Sequence, residues 1–488
     1  MESYQEKGHW WIDGRRDEAV GGILSVDPDI GNSLQLFDMI DRNSIRNQVA
    51  HDRIFGVTTS GDAYTLLNCY RDSYRRSDPM GGEENYIVQY VIRGCHWGNS
   101  SNVAFDSVTM EFPLLDQWSS VYTTVSADTM PFGLDPGDTF GLTHTLPEPE
   151  EADLMKYSVK ISEQLTHGVD RISGDSIESA TKLTVDPKHP SRPFQRIRTY
   201  VDFVRYLLTI AYNKPVSPAQ ISGRNENLFQ YNTLEVFYPL PGHSEVKNRP
   251  LDRDFYFTPE DITGGFQALI ENWAGLWENH RPMIEMYLSS QYNENMYIQS
   301  EFLSLVQAIE AFHRRKYDSK YISEKTYEIV KNHLMELIRG DPKSVYGTRR
   351  MVKGSQISDE TLQKIRTFSS AYGIGNDLGN KLNSALEHAN ELSLRQRLKH
   401  LVNEEYSTLI DGLPHSAKNV VHPIVETRNH YVHQLEDSGS VVREGGDIIE
   451  LVIPLRQLIE AIILYELGLP EHHVRDKLFA RYRQIVIS

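Results

Sequence analysis

The pattern of hydrophobic and polar positions changes once along the chain, near residue 258. Before this point, short segments alternate apolar and polar residues and are separated by clusters of Gly, Asp and Asn, a pattern typical of antiparallel strands. After it, apolar residues recur every three to four positions, as amphipathic helices require. The sequence therefore predicts an α+β multidomain protein, with a β-rich, sandwich-like module over 1–250 and an all-α bundle over 258–488.

The β-rich part contains strand-like runs such as GILSV, IFGVTT and NYIVQYVIRG, spaced 8–15 residues apart. This spacing is typical of an antiparallel sandwich or a barrel-like module. One amphipathic helix interrupts it near 195–213, within FQRIRTYVDFVRYLLTIAY. Four tryptophans in this part are expected to lie mostly in the core: Trp10, Trp11, Trp97 and Trp118.

The helical part is predicted to begin with Thr258 as N-cap and Pro259 in the first turn. A long helical region follows over 285–317, and further helices are predicted from SEKTYEIVKNHLMELI, SDETLQKIRTFSSAYG, LSLRQRLKHLVNEEY and LVIPLRQLIEAIILYELGL. These segments indicate a bundle of six or more helices.

Composition limits the class of protein. The chain has 488 residues and 39% hydrophobic content, which is ordinary for a globular protein of two or three domains. Its apolar runs are too short and too charged to span a bilayer, and MESYQEKGHWW lacks the features of a signal peptide. Only two cysteines are present, and no HExxH, GxSxG or Gly-rich phosphate loop occurs. We therefore expect a cytoplasmic protein with no membrane contact, no metal and no cofactor.

Charge is distributed unevenly between the two parts. The formal net charge is −17, of which residues 1–259 carry −12 and residues 260–488 carry −5. Because neutralising phosphates requires Lys and Arg, the acidic front part is a poor nucleic-acid binder. RNA contacts are expected on local basic patches in the helical part, of which HRRK (313–316) is the strongest.

The segment ETRNHYVHQLED (426–437) concentrates the candidate chemistry. On a helix, Asn429 and His433 lie about 40° apart, and His430 is one turn from His433. Arg428 projects elsewhere, but its long side chain can swing toward them. The apolar side chains at 431, 432 and 435 are expected to point toward a core. A guanidinium, an amide and an imidazole can therefore converge on one phosphate.

The spacing from Arg428 to His433 is not by itself specific. With 32 Arg and 18 His in the chain, chance gives about one Arg-x-x-x-x-His match, and three occur. Arg46 to His51 lies between two strand-like runs and is attributed to chance. Arg395 to His400 lies on an amphipathic helix whose charged residues suit a solvated face. The third match carries more polar groups than a core helix tolerates without partners, which favours a cleft or an interface.

At this point the sequence resembles the HEPN ribonucleases, and within them the ApeA-type anti-phage proteins. The resemblance is carried by RNHYVH on a late helix, FLSLVQAIEAFHRR on an early helix and LSLRQRL between them. The front segments GHWWIDG, IFGVTT, GDAYTLLNC, GCHWG and FPLLDQW resemble the β-rich domain that accompanies this HEPN domain. The resemblance covers nearly the whole chain.

The resemblance implies a metal-independent endoribonuclease with Arg428, Asn429 and His433 as catalytic residues. It also implies a homodimer in which two such motifs face one cleft, and a role in abortive infection, with tRNA among the RNA substrates to consider. Two details depart from the family pattern, since His430 occupies a variable position and Glu426 stands where Asp is frequent. Neither removes a motif residue.

Further residues are candidates for supporting roles. One histidine does not serve easily as both acid and base, so His430 or the His433 of a second subunit is considered as the other group. Glu310 either pairs with a neighbouring helix or orients Arg428 or His433. The expected phosphate contacts are His313, Arg314, Arg315, Arg395 and Arg397.

Two other functions remain open from the sequence. The chain is then either a non-catalytic interaction protein, whose β-rich module binds a protein or a glycan, or a nucleotide-binding HEPN protein that works with a separate nucleotidyltransferase. In the nuclease reading, the β-rich module is the regulatory part and the expected site for a phage-derived trigger.

Overall fold

The structure is a computed structural model of the whole chain. It describes fourteen segments, to which every structural statement below refers: 3–41, 49–77, 81–98, 105–127, 142–170, 174–188, 197–225, 233–240, 251, 254–293, 295–317, 319–339, 376–433 and 441–483.

Six strands at the start of the chain close into an antiparallel barrel, in the order β6-β3-β2-β1-β4-β5, with β5 pairing back onto β6. Closure comes from the long β5–β6 hairpin, because β6 pairs with β5 along one side and with β3 along the other. The barrel strands are β1 Tyr4–Ile12, β2 Val20–Val26, β3 Asn32–Leu36, β4 Ala50–Thr58, β5 Ala63–Ser77 and β6 Gly81–Arg93.

The interior of the barrel follows from strict alternation of side chains. In β3, Asn32, Leu34 and Leu36 are buried, whereas Ser33 is exposed. Trp10 fills the interior and is fully buried. Its ring occupies the space above Gly56, where any Cβ atom would overlap the indole. Glycine is therefore required at this position by packing.

A second row of strands branches from the C-terminal half of β6 in the order β14-β13-β7-β12-β11-β10. The last strand, β10, forms the open end of the sheet. Gln267, on a helix described below, hydrogen-bonds to it twice, accepting from the Asp153 N–H and donating to the Asp153 carbonyl. The branch strands are β7 Ser107–Glu111, β10 Glu150–Asp153, β11 Tyr157–Asp170, β12 Gly174–Pro187, β13 Gln220–Arg224 and β14 Leu234–Phe237, and β8 Thr124–Ala127 pairs separately with β9 Leu142–Thr145.

The rest of the chain is helical. Nine of the eleven α-helices in the described segments follow residue 258. They are α1 Leu115–Ser119, α2 Ile197–Tyr212, α3 Gly265–Tyr292, α4 Ile298–Lys316, α5 Glu324–Arg339, α6 Asn376–Glu387, α7 Leu394–His400, α8 Ser407–Ile410, α9 Val421–His433, α10 Ile449–Glu466 and α11 Glu471–Tyr482. A π-helical turn, Leu401–Glu405, continues α7.

The predicted fold class is confirmed: a β-rich region is followed by a helical one. The predicted helix near 195–213 is α2, and the four tryptophans are buried. Two details differ. Thr258 caps only a short 3-10 turn, because the positive φ angles of Gly264 and Gly265 separate that turn from α3. The predicted helix 285–317 is two helices. The helix predicted at 358–373 lies outside the described residues.

The chain divides into two compact units, the first formed by 1–304 with 459–488 and the second by 305–458. In the first unit, α3 packs beside α2, where the Trp273 indole donates to the Phe203 carbonyl at 2.9 Å. The part of α10 that belongs to this unit begins at residue 459, and its buried Glu460 carboxylate accepts from the Tyr256 and Tyr287 hydroxyls at 2.7 and 2.8 Å. This unit thus contains helices as well as the β-rich module.

One ion pair is built into the barrel. Arg71 Nη1 lies 2.9 Å from Glu84 Oε1, and the two side chains are 2% and 0% exposed. The other carboxylate oxygen accepts from the Ile40 backbone N–H at 3.0 Å and from the Tyr86 hydroxyl at 3.2 Å. Glu84 is thus bonded on both oxygens, as a buried charge requires.

Within the described segments, no helix is long and apolar enough to cross a membrane.

Candidate active site

Helix α9 carries Arg428, Asn429 and His433 in its last two turns. Its first part is anchored by apolar side chains, and its buried residues are Val421, Ile424, Val425 and Thr427. Beyond Thr427 the helix is only partly covered: Arg428 and Asn429 are half-buried and His433 is exposed. The three candidate residues therefore lie where the helix emerges from the packed region.

This emergence corrects one expectation. Val432 was expected to point toward a core, but it is 47% exposed. Packing of α9 ends with Thr427, whose hydroxyl accepts the Arg443 backbone N–H at 3.0 Å. The final turn consequently has little to pack against in the described segments, while residue 435 lies outside them.

Arg428 is the centre of the candidate site. Its Nη2 lies 3.8 Å from Glu310 Oε2 on α4, and its Nη1 donates to Asn429 Oδ1 at 3.3 Å. The Arg428 and Glu310 side chains are 28% and 20% exposed. The contact to Glu310 is long for a charge-assisted hydrogen bond, which is usually about 2.7–2.9 Å. Arg428 is thus oriented and remains open to an anion.

The structure joins Glu310, Arg428 and Asn429 by polar contacts, and His433 follows them one turn later on the same helix. Asn429 was considered as a group that orients His433, but its amide oxygen accepts from Arg428 instead. Within the described segments, His433 makes no hydrogen bond or ion pair. Convergence of His433 on a phosphate held by Arg428 therefore stays a prediction.

His430, considered as an alternative acid or base, faces a different neighbour. Its Nε2 lies 3.3 Å from Glu444 Oε1, and its ring meets the Tyr431 ring edge-on.

The predicted phosphate contacts separate into exposed and buried groups. Arg314 and Arg315 are exposed on α4, and Arg395 on α7 is partly exposed. Arg314 lies 2.9 Å from Glu391, and Arg395 lies 2.8 Å from Glu426. These bonds are at the surface, where an ion pair is weak and exchanges readily for a phosphate.

Arg397 and His313 are buried, each 1% exposed. Arg397 donates to the Leu392 carbonyl at 2.7 Å and to Glu391 at 3.1 Å. Burial, together with the neighbouring Arg314 guanidinium, lowers the pKa of Arg397. These two side chains face inward, so we rest the proposed phosphate contacts on the exposed arginines.

His313 contacts His400, which the sequence did not indicate as a candidate site residue. His313 is held at both of its ring nitrogens. Its Nδ1 lies 3.0 Å from Ser319 Oγ, and its Nε2 lies 3.2 Å from Nδ1 of His400 at the end of α7. Burial, with the nearby His400 and Arg397, lowers the pKa of His313 to about 4, so this ring is neutral at pH 7. The signal for His400 was present as the second Arg-x-x-x-x-His match, which had been assigned to a solvated face.

Across the described segments, no group of three or more His, Cys, Asp and Glu side chains is placed to hold a metal ion.

Two models of known protein families match the chain. The model of ApeA N-terminal domain 1 matches residues 5–273, more than half of the chain, and the model of the Apea-like HEPN domain matches residues 303–473. The chain belongs to the ApeA family of HEPN proteins. The HEPN match includes α4, α7 and α9, and thus every candidate site residue. HEPN domains commonly dimerise and act on RNA, and an ApeA-like HEPN domain supports a nuclease-type role in anti-phage defence in general. Searches of curated proteins and of solved structures gave no match.

Proposed function

We propose that this ApeA-type protein is a metal-independent endoribonuclease that acts in anti-phage defence by abortive infection. The observation that carries the proposal is the state of Arg428. It is half-buried, weakly held by Glu310 and adjacent on the same helix to the exposed His433. A guanidinium that is oriented by its neighbours but still has N–H groups available is suited to bind a phosphodiester.

The proposed reaction uses a nucleophile that RNA itself supplies. A histidine accepts the proton of the 2′-OH, the 2′-oxygen attacks the adjacent phosphorus, and the bond from phosphorus to the 5′-oxygen breaks. A second group gives a proton to the leaving 5′-oxygen. The products are a 2′,3′-cyclic phosphate and a 5′-OH end. Arg428 stabilises the added negative charge, and His433 is the proposed proton-transfer group, since imidazole titrates near neutral pH.

Substrate binding is proposed to extend from Arg428 along the exposed arginines Arg314, Arg315 and Arg395. The protein is proposed to act as a homodimer through its HEPN domain, with His430 or the His433 of a partner subunit as the other proton-transfer group. Because structured tRNA is a frequent target of HEPN toxins, it is the first substrate to test.

The test is cleavage of total cellular RNA by the purified protein in EDTA. Wild type is compared with Arg428→Ala and His433→Ala, and with His472→Ala on α11 as a matched control. We expect discrete fragments ending in cyclic phosphate from wild type and from His472→Ala only. Equal cleavage by all four proteins would reject this site, and a requirement for added metal would reject the metal-independent mechanism.

The acidic β-rich module is proposed to restrain the nuclease until a phage-derived trigger binds. The support is the net charge of −12 on residues 1–259, which is suited to compete with RNA for basic groups. We keep 1–250 and 258–488 as the proposed functional division. A chain lacking 1–250 should cleave RNA without phage infection, and unchanged basal cleavage and toxicity would count against restraint.

One observation favours the alternative of a non-catalytic interaction protein. Tyr70 and Ile87 lie opposite each other on β5 and β6, and each is 53% exposed on the barrel surface. An exposed aromatic and aliphatic pair suits contact with a protein or a glycan. If His433→Ala retained phage protection, folding and dimerisation, this alternative would replace the nuclease.

A further inference from the structure

The two Arg-x-x-x-x-His segments on α7 and α9 meet the same face of α4. Glu310 contacts Arg428 of α9, and His313, three residues later, contacts His400 of α7. Residues three apart on a helix have Cβ atoms about 5–6 Å apart. Arg395 Nη2 lies 2.8 Å from Glu426, which joins α7 directly to α9. His400 and Arg428 therefore belong to one cluster of side chains.

His313 is held at both ring nitrogens. Its Nδ1 lies 3.0 Å from Ser319 Oγ, which also lies 3.4 Å from the carbonyls of His313 and Tyr317. Its Nε2 lies 3.2 Å from His400 Nδ1. Because the buried His313 ring is neutral and carries one N–H, one of its nitrogens donates and the other accepts.

The opposite edge of His400 faces negative charge. Its Nε2 lies 3.6 Å from Glu405 and 3.9 Å from Glu404, and Tyr317 packs edge-on against the ring. Two carboxylates near Nε2 favour an N–H there over a lone pair. An N–H at this nitrogen is the kind of proton that a general acid supplies.

A π-helical turn of the backbone directly follows His400. The chain leaves α7 in a π-helical turn over Leu401–Glu405, in which the Tyr406 N–H bonds to the Leu401 carbonyl. Such turns are uncommon and are frequent at functional sites. Glu404 and Glu405 are carried by this turn, whereas the His400 side chain is 28% exposed. A substrate can thus reach the ring that His313 supports from behind.

We propose that His400 is the general acid of RNA cleavage, supplied by the same subunit as Arg428, and that buried His313 is its positioning residue. The inference rests on the proposed function and assigns its second proton-transfer group to His400 in place of His430 or the His433 of a partner subunit. His433 takes the 2′-OH proton, the 2′-oxygen bonds to phosphorus, and the 5′-oxygen leaves with the proton from His400 Nε2. Afterwards His433 releases a proton to water and His400 regains one, so the protein is unchanged.

The test compares pH–rate profiles of RNA cleavage for wild type, His400→Ala and His433→Ala, with His472→Ala as control. A general acid must be protonated, so its loss flattens the alkaline limb of the profile, whereas loss of the base flattens the acid limb. We expect His400→Ala to cleave about 10²- to 10⁴-fold more slowly than wild type and to lack the alkaline limb. Added imidazole should restore cleavage to His400→Ala and not to Arg428→Ala.

Two variants of His313 separate positioning from folding. His313→Gln keeps an acceptor near the position of Nε2, and His313→Leu removes it. With both variants folded by circular dichroism, we expect His313→Gln to retain most of the activity and His313→Leu to resemble His400→Ala. Equal activity of the two would overturn the role given to His313.

The outcomes distinguish this inference from the function it rests on. If His400→Ala keeps the wild-type rate and both limbs while Arg428→Ala and His433→Ala are inactive, the nuclease stands and His400 is not its acid. If wild type cleaves no RNA, alone or in lysates of phage-infected cells, the proposed function and this inference both fall.

Discussion

One Arg–Glu pair of the barrel, Arg71–Glu84, and one of the second unit, Arg428–Glu310, differ in burial and in the distance between the charged groups. Arg71 and Glu84 are fully buried and 2.9 Å apart, and Glu84 is bonded on both oxygens. Arg428 and Glu310 are partly exposed and 3.8 Å apart. A buried pair holds a structure together, because removing either partner leaves an unpaired charge in the interior. A loose, exposed pair costs little to open, so its arginine is available to a ligand.

The largest effect is expected from breaking the buried pair. Arg71→Met leaves the Glu84 carboxylate without its cation, and should lower the free energy of unfolding by about 3–5 kcal/mol. Urea unfolding followed by tryptophan fluorescence measures the loss. Arg15→Met, which breaks a surface pair with Asp41, should cost less than about 1 kcal/mol. Similar losses of stability in Arg71→Met and Arg15→Met would show that burial of the ion pair does not determine its contribution to stability.

The same substitution at the Arg428–Glu310 pair should affect the rate of RNA cleavage more than the free energy of unfolding. We expect Arg428→Met to change the free energy of unfolding by less than about 1 kcal/mol and to slow RNA cleavage about 10²- to 10³-fold. Urea unfolding and cleavage of labelled RNA measure the two quantities. If Arg428→Met unfolds at a clearly lower urea concentration than wild type, Arg428 is a structural residue like Arg71.

A third test asks whether His313 behaves as a buried structural group. Its pKa is about 4 in the folded chain and about 6.5 when unfolded. Between these values the unfolded chain binds more protons, so stability is complete above pH 6.5 and is lost as pH falls toward 4. We expect this one group to account for about 3 kcal/mol of that loss. The loss should be smaller in His313→Gln than in wild type, measured by urea unfolding at pH 4.5, 5.5 and 7.5. If the free energy of unfolding of His313→Gln falls with pH as steeply as that of wild type, burial of His313 does not oppose its protonation.

The smallest effect is expected from releasing Arg428 without removing it. Glu310→Gln removes one negative charge about 4 Å from the guanidinium, which is worth about 1 kcal/mol in a water-like dielectric, or about fivefold in affinity. In a His433→Ala background, RNA should bind about fivefold more tightly by fluorescence anisotropy at fixed salt. Weaker binding would mean that Glu310 holds Arg428 in its binding geometry.

Local patterns predicted the elements better than their assembly. The periodicity of apolar residues in IQSEFLSLVQAIEAFHRR is a property of neighbouring positions, and this segment, which forms α4, was predicted to be helical. Closure of the barrel depends on β6 pairing with β3, which is distant in the chain. No local pattern specifies that pairing, so a sandwich and a barrel were equally consistent with the strands.

The candidate site shows the same limit. Arg428 and Asn429 were found from their types and spacing, and Glu310 was identified as a possible partner across the bundle. His400 was missed because its helix, LSLRQRLKHLV, has the charge pattern of a solvated surface. Its importance depends on His313 reaching it from another helix, and a single helix face cannot show that contact.

The open end of the sheet has a consequence for the protein at high concentration. Closure removes free edges from the barrel, and the branch ends in β10, which carries Glu150, Glu151 and Asp153. Gln267 already occupies backbone groups of Asp153 on this strand. A second chain that tried to extend the sheet would meet repulsion from like charges and bonded backbone groups. In the described part of the chain, this open edge of the large sheet is therefore protected against pairing with a second copy.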